Sequence, residues 1–193
     1  MSEELIQRNL VAAPEHMGSW DYYNIGATSL KALKAAKIIP NKNYAAFEGK
    51  KPDVLIVKKP VVIAAIEYKQ PSQFKTPKQI ETAIQQEIGT AQALNAKIYI
   101  VTDGKKSFWI NPLTGNRIKL DSGEPVSTVF DQNSDECIKL ISKIVSSINK
   151  NNDTILASAI VDPLPLAQQV WQDLWAVSGA TPENCLYTFV FVS

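Results

Sequence analysis

Two short apolar runs, Val54–Val57 and Val61–Ile66, stand out in the pattern of hydrophobic and polar positions, with Lys58-Lys59-Pro60 between them. Runs of this length, rich in Val and Ile and bounded by polar residues and Pro, predict two buried strands joined by a tight turn. As an antiparallel hairpin centred near Pro60, they set the start of the first strand opposite the end of the second. Asp53 then lies beside Glu67. Side chains alternate along a strand, so Glu67 and Lys69 share a face while Tyr68 points the other way. Asp53, Glu67 and Lys69 converge at one end of the hairpin.

The remaining pattern predicts an α/β domain, a mixed central sheet flanked by helices. Leu5, Ile6 and Leu10 suit a short helix over residues 3–10, and Pro14, His16 and Gly18 a loop. Trp20, Tyr22 and Tyr23 read as a satellite aromatic cluster. Thr28 or Ser29 can cap a helix running to about Lys37, which Ile38-Ile39-Pro40 ends. Tyr44–Phe47 reads as a strand. Thr76, Pro77 and Gln79 form a capping box with proline at the first helical position. Ile80, Ile84, Ile88 and Ala91 then follow helical spacing, with Gln86 beside that stripe. Ile98–Val101 is a central strand that the helix delivers parallel to the hairpin. Asp103-Gly104 is a turn, Ser107–Asn111 the returning strand, and Arg117–Leu120 an edge strand. Ser134 or Asp135 caps a helix to about Asn149, with Cys137, Ile141, Ile144, Val145 and Ile148 on its apolar face. A polar break at Asn149–Asp153 divides a core domain, residues 1–150, from a helical extension, residues 151–193. That extension carries Asp162-Pro163-Leu164-Pro165, the pair Trp171 and Trp175, and a second cap-plus-proline start at Thr181-Pro182.

Composition narrows the class. The chain has 193 residues, 45% hydrophobic and 20% charged, enough for a globular core. No run approaches the ~20 apolar residues of a membrane span, and Met1-Ser2-Glu3-Glu4 opens no secretory signal. Cys137 and Cys185 suggest neither a disulfide framework nor a zinc site, and His16 has no ligand partner. A reducing cytoplasm is the simplest compartment. The net charge is only +1 but unevenly spread: Lys31 to Lys78 holds eleven Lys against Glu48, Asp53 and Glu67, about +8, leaving about −7 elsewhere. A basic region around paired carboxylates suits a polyanionic substrate.

Asp53 and Glu67 are the candidate chemistry. Paired carboxylates form a hard-oxygen site for Mg²⁺, which takes octahedral oxygen ligands and keeps several waters. Such a metal acidifies a bound water and neutralises phosphate charge. A nearby Lys69 can orient that water or stabilise the charge that develops. No phosphate loop, G-x-G-x-x-G or G-x-S-x-G motif competes.

Pro52-Asp53, thirteen intervening residues, then Glu67-Tyr68-Lys69 resembles the PD-(D/E)xK nuclease signature. The likeness is to the N-terminal nuclease domain of type I restriction enzyme R subunits, and to similar domains fused to N6-adenine methyltransferases in single-chain restriction-modification enzymes. It covers roughly residues 40–112. Gln86-Glu87-Ile88-Gly89-Thr90 resembles the family's Q-x-x-x-Y motif, with Thr90 where Tyr is usual, and Thr102-Asp103-Gly104 its T-D-G turn. The resemblance implies a restriction-endonuclease-like fold and a Mg²⁺-dependent (or Mn²⁺-dependent) endonuclease acting on double-stranded DNA. Asp53, Glu67 and the Tyr68 carbonyl would bind metal, Lys69 would serve the attacking water, and Gln86 would assist. A further upstream acid is expected among Glu3, Glu4, Glu15 and Glu48. It also implies that the chain is the N-terminal piece of a larger enzyme with methyltransferase or specificity domains or subunits. The alternatives are a non-cleaving DNA-binding module of the same fold and an unrelated α/β domain that binds a small molecule or a protein.

Overall fold

The two apolar runs form central strands of a six-stranded mixed sheet in a computed structural model that describes residues 14–26 and 28–156, together with Gln172. The strands are β1 (Glu15–Met17), β2 (Trp20–Asn24), β3 (Val54–Lys58), β4 (Val61–Tyr68), β5 (Ile98–Thr102) and β6 (Ser107–Ile110), side by side in that order. Neighbours pair antiparallel except β4 and β5, which are parallel. The parallel step needs a crossover, and α2 (Pro77–Ala93) supplies it. The expected helix over residues 3–10, and the extension from residue 157 onward apart from Gln172, lie outside the described residues. The chain divides into two units, Met1–Ala157 and Ser158–Ser193. All six strands and the helices named here lie in the first.

Helices cover both faces of the sheet, which is why β3, β4 and β5 read as nearly continuous apolar runs. One face carries Leu55, Val57, Val62, Ala65, Tyr99 and Val101 beneath α1 (Leu30–Ala35) and α2, with Leu30, Leu33, Ile84, Ile88 and Ala91 in contact. The other carries Val54, Ile56, Ala64, Ile66, Ile98, Ile100 and Trp109 beneath α3 (Asp135–Ser147), through Cys137, Ile141 and Ile144. Each of the Val, Leu and Ile side chains among them contributes roughly 1.5–3 kcal/mol on full burial. A register shift sets Ile56 opposite Ala64 but Val57 opposite Val62, so Ile63 is an extra residue. The bulge lets Val62 and Ala65 face the same helices although they are three apart.

Local chemistry fixes the helix starts. Ser29 Oγ accepts from Ala32 N–H, Thr76 Oγ1 from Gln79 N–H in a full capping box, and Ser134 Oγ from Cys137 N–H. Cys137 is core, fully buried, its thiol donating to the Val129 carbonyl at 3.3 Å.

Three segments differ from the sequence pattern. Residues 15–24 form the β1–β2 hairpin rather than a loop and a satellite cluster, because Gly18 takes a left-handed turn (φ 60°) and the aromatic residues alternate between the two cores. Tyr44 precedes a 3-10 turn, Ala45–Phe47, rather than starting a strand; the Tyr44 hydroxyl donates back to the Pro40 carbonyl at 2.8 Å and closes the loop. Arg117–Leu120 makes only isolated bridges, including Ile110 with Arg117 and Lys119 with Thr154.

The last bridge carries the core past residue 150. Ile155 is buried, and Asp153 accepts from Asn111 Nδ2 at 2.7 Å, Thr114 Oγ1 at 2.6 Å and Asn116 Nδ2 at 2.9 Å. Burial opposes ionisation of Asp153, but these donors outweigh it and hold the carboxyl below its usual range. The unfolded chain therefore binds the proton more readily than the folded one. This contribution is present above the unfolded value, about 3.9, and is lost as the pH falls through the lower folded value. Asp153→Ala is expected to cost about 1–3 kcal/mol at pH 7. Urea unfolding at pH 7 and pH 3 should show the gap from wild type narrowing at pH 3; a gap that stayed constant would contradict the assignment.

Candidate active site

The site stands at the open end of the β3–β4 hairpin. Buried Pro52 leads into Asp53, whose carbonyl accepts from Ile25 N–H at 2.9 Å. Val54 pairs with Ile66, so the next residues outward, Asp53 and Glu67, oppose each other as the hairpin pattern predicts. Asp53 Oδ2 accepts from Tyr68 N–H at 2.8 Å, and this bond fixes the carboxylate across the strand end. Glu67 shares the face of Ala65 beneath α2 and is 7% exposed. Lys69 donates its backbone N–H to the Thr102 carbonyl at 2.8 Å, which extends the β4–β5 ladder one step. Its ammonium lies 3.9 Å from Glu67 Oε2, an ion pair too long for a hydrogen bond. The Tyr68 ring points away, toward the α3 side, and is exposed.

Charge here is out of balance. Burial first, then the Asp53 and Glu87 carboxylates, push the Glu67 carboxyl up to about 8, and Lys69 only partly offsets them. Glu87 is the residue that sequence reasoning missed. It reaches from α2, with Oε1 3.1 Å from Lys50 Nζ and Oε2 accepting from Thr90 Oγ1 at 3.1 Å. Tyr99, one strand over on the same face, is 1% exposed and its hydroxyl has no hydrogen-bond partner among the described residues.

The structure does not bring Gln86 to this group. Gln86 is exposed and lines an open depression with Lys78, Glu81, Thr82 and Gln85. At about 100° per residue, Gln86 sits about 160° around the helix from Ile84, whereas Glu87 sits about 60° from it. That phase is the signal that points to Glu87. Thr90, read only as a departure from a motif, is buried and braces Glu87. Asp103 is a turn residue, its Oδ1 accepting from Lys105 and Lys106 N–H at 2.8 and 2.7 Å. Among the candidate upstream acids, Glu48 pairs with Lys34 at 2.9 Å and Glu15 accepts from Gln132 at 2.7 Å, so both are engaged elsewhere. Glu3 and Glu4 lie outside the described residues.

Among the described residues, no group of three or more His, Cys, Asp or Glu side chains is gathered to hold a metal. The donor set at the hairpin end is instead two carboxylates, Asp53 and Glu67, and main-chain oxygen at Tyr68. All are hard oxygen donors, and a cation that retains much of its water needs few protein ligands. A divalent ion would suit these hard oxygen donors, whereas a soft or nitrogen-seeking metal finds no thiolate or imidazole at this group. Among the described residues no helix is long and apolar enough to cross a membrane. Compared with protein-family models, curated proteins and solved structures, the chain matches none.

The Glu67 shift has a stability consequence with a definite sign. The folded carboxyl holds its proton to a higher pH than the unfolded one. Between about 4.5 and about 8 the unfolded state therefore loses the proton first, and metal-free stability falls as the pH rises through that window. Glu67→Gln removes this loss. In EDTA at pH 8 the variant should melt higher than wild type by at least ~2–4 °C, the equivalent of ~1 kcal/mol at this size. At pH 4.5 the two should melt together. Equal melting temperatures at pH 8 would contradict the buried, charge-crowded setting.

Proposed function

We propose that the domain is a Mg²⁺-dependent DNA endonuclease with a restriction-endonuclease-like fold, hydrolysing phosphodiester bonds within a restriction or restriction-modification system. The observation that carries this reading is the convergence of Asp53, Glu67 and Lys69 at one strand end, with Asp53 locked to the Tyr68 N–H. The mixed sheet with a parallel β4–β5 step and helices on both faces is compatible with that fold. Lys31, Lys37, Lys51, Lys75 and Lys78 are exposed and offer positive charge to double-stranded DNA.

Asp53, Glu67 and the Tyr68 carbonyl would hold the cation, which when bound acidifies water and neutralises charge on the scissile phosphate. The chain's own residues do the rest. Asp53 is oriented by the Tyr68 N–H. Glu67 presents a carboxylate from a dry sheet face. Lys69, mostly buried and anchored through Thr102, directs its ammonium toward Glu67 and orients the attacking water or stabilises developing negative charge. Recognition of a DNA sequence belongs to partner domains or subunits.

The purified chain is expected to nick supercoiled plasmid in Mg²⁺ or Mn²⁺ and not in EDTA. Lys69→Ala should lose about 10²–10³-fold in rate, as removal of a positioned charge-stabilising donor does. Asp53→Ala should lose both nicking and calorimetric metal binding, while Gln86→Ala stays near wild type. DNA binding with no metal-dependent cleavage would favour the non-cleaving module. Absence of both metal binding and cleavage would remove the nuclease reading.

A further inference from the structure

The face of the sheet beside the hairpin end holds a polar cluster that Asp53, Glu67 and Lys69 do not account for. Tyr99 lies on β5, paired with Ala65, and its side chain belongs to the α2-side core. Glu67 is the next residue along β4 on that same face, and Glu87 descends on it from α2. The Tyr99 phenol is a hydrogen-bond donor, 1% exposed, on the face that carries these carboxylates. Yet the buried hydroxyl bonds to none of them. Buried hydroxyls are almost always partnered, by protein or by an ordered water. Glu87 is rigidly held: Lys50 fixes one oxygen at 3.1 Å and Thr90 the other at 3.1 Å. It does not join Asp53 and Glu67 as a third direct ligand.

We propose that Glu87 and the Tyr99 hydroxyl form an outer binding shell for the divalent cation, together holding one of its retained waters, with Lys50 and Thr90 fixing Glu87. Oxygen-seeking Mg²⁺, which gives up its water reluctantly, is the cation such an arrangement suits. The inference rests on the cation site proposed above and extends it to α2 and β5. Glu87 and Tyr99 act through the water and are positioning residues, not ligands.

The test is Mg²⁺ titration by calorimetry into the full chain, into Glu87→Gln, Tyr99→Phe, their double variant and Lys50→Ala, with metal-free melts of each. Both single substitutions preserve shape. Each is expected to weaken Mg²⁺ binding by about 10-fold, the low end for partners that act through a ligand or a bound water. Because they share one water, the double variant should bind within about 2-fold of the weaker single variant. Lys50→Ala loosens Glu87 without removing its charge and should weaken Mg²⁺ binding by less than Glu87→Gln does. If Glu87 served only as a structural ion-pair partner, Lys50→Ala and Glu87→Gln would lower the metal-free melt alike and leave affinity unchanged, which overturns the inference. Losses that multiply in the double variant overturn the shared water. Wild-type binding with unaltered affinity in both single variants sinks the outer shell and leaves the nuclease reading standing. No Mg²⁺ binding by wild type sinks both.

Discussion

A carboxylate forced into a dry, negatively charged corner is the constraint on which this domain depends. Glu67 is the seventh residue of an eight-residue strand that is apolar through Ile66, and the strand's alternation leaves it no choice of face. It must lie under α2, next to Asp53, with Glu87 above and only Lys69 in partial compensation. Isolated burial of such a group is unfavourable. The proposed cation would complete the charge there, and without it the scaffold must offset the cost.

The scaffold does so by making the hairpin inflexible. β3 and β4 are buried on both faces, and their register is fixed by the core on either side, since a one-residue slip would turn every side chain over. The single bulge at Ile63 absorbs the mismatch near the turn, far from the charged end. At that end, the Tyr68 N–H is taken by Asp53 and the Lys69 N–H by Thr102, so the backbone of Glu67-Tyr68-Lys69 is tied on both sides. Thr102 is itself buried and bonded to Ser107 Oγ at 2.8 Å, which links the site to the return strand. Asp153, far along the chain, performs a comparable service for the opposite margin of the sheet by fastening the turn around Asn111.

Much of this was legible because the signals were local. The two Val- and Ile-rich runs, the Thr76-Pro77-Gln79 start and the Ser134 cap each involve neighbours in sequence, and each forms as its pattern predicts. The opposition of Asp53 and Glu67 followed from hairpin arithmetic. What escaped depended on contacts between distant segments. Residues 15–24 look like a loop until β3 offers its edge to β2. Tyr44 is β-favouring in isolation, but its hydroxyl bond to Pro40 closes a turn. Gln86 drew attention through motif likeness, whereas the helical phase, measured from Ile84, turns Glu87 and not Gln86 toward the sheet. Tyr99 looked like one more apolar strand residue, because nothing in the sequence says that its buried hydroxyl would have no partner among the described residues.

The claim at the centre is that Asp53, Glu67 and the Tyr68 carbonyl hold one divalent ion. Crystals of the chain soaked in Mn²⁺ and measured near the manganese absorption edge would test it most directly. The account predicts a single strong anomalous peak between the two carboxylates and the Tyr68 main-chain oxygen, at distances near the ~2.0–2.1 Å of small octahedral cations. A saturating soak with no peak there, or with Lys69 moved in to pair both carboxylates, would contradict it.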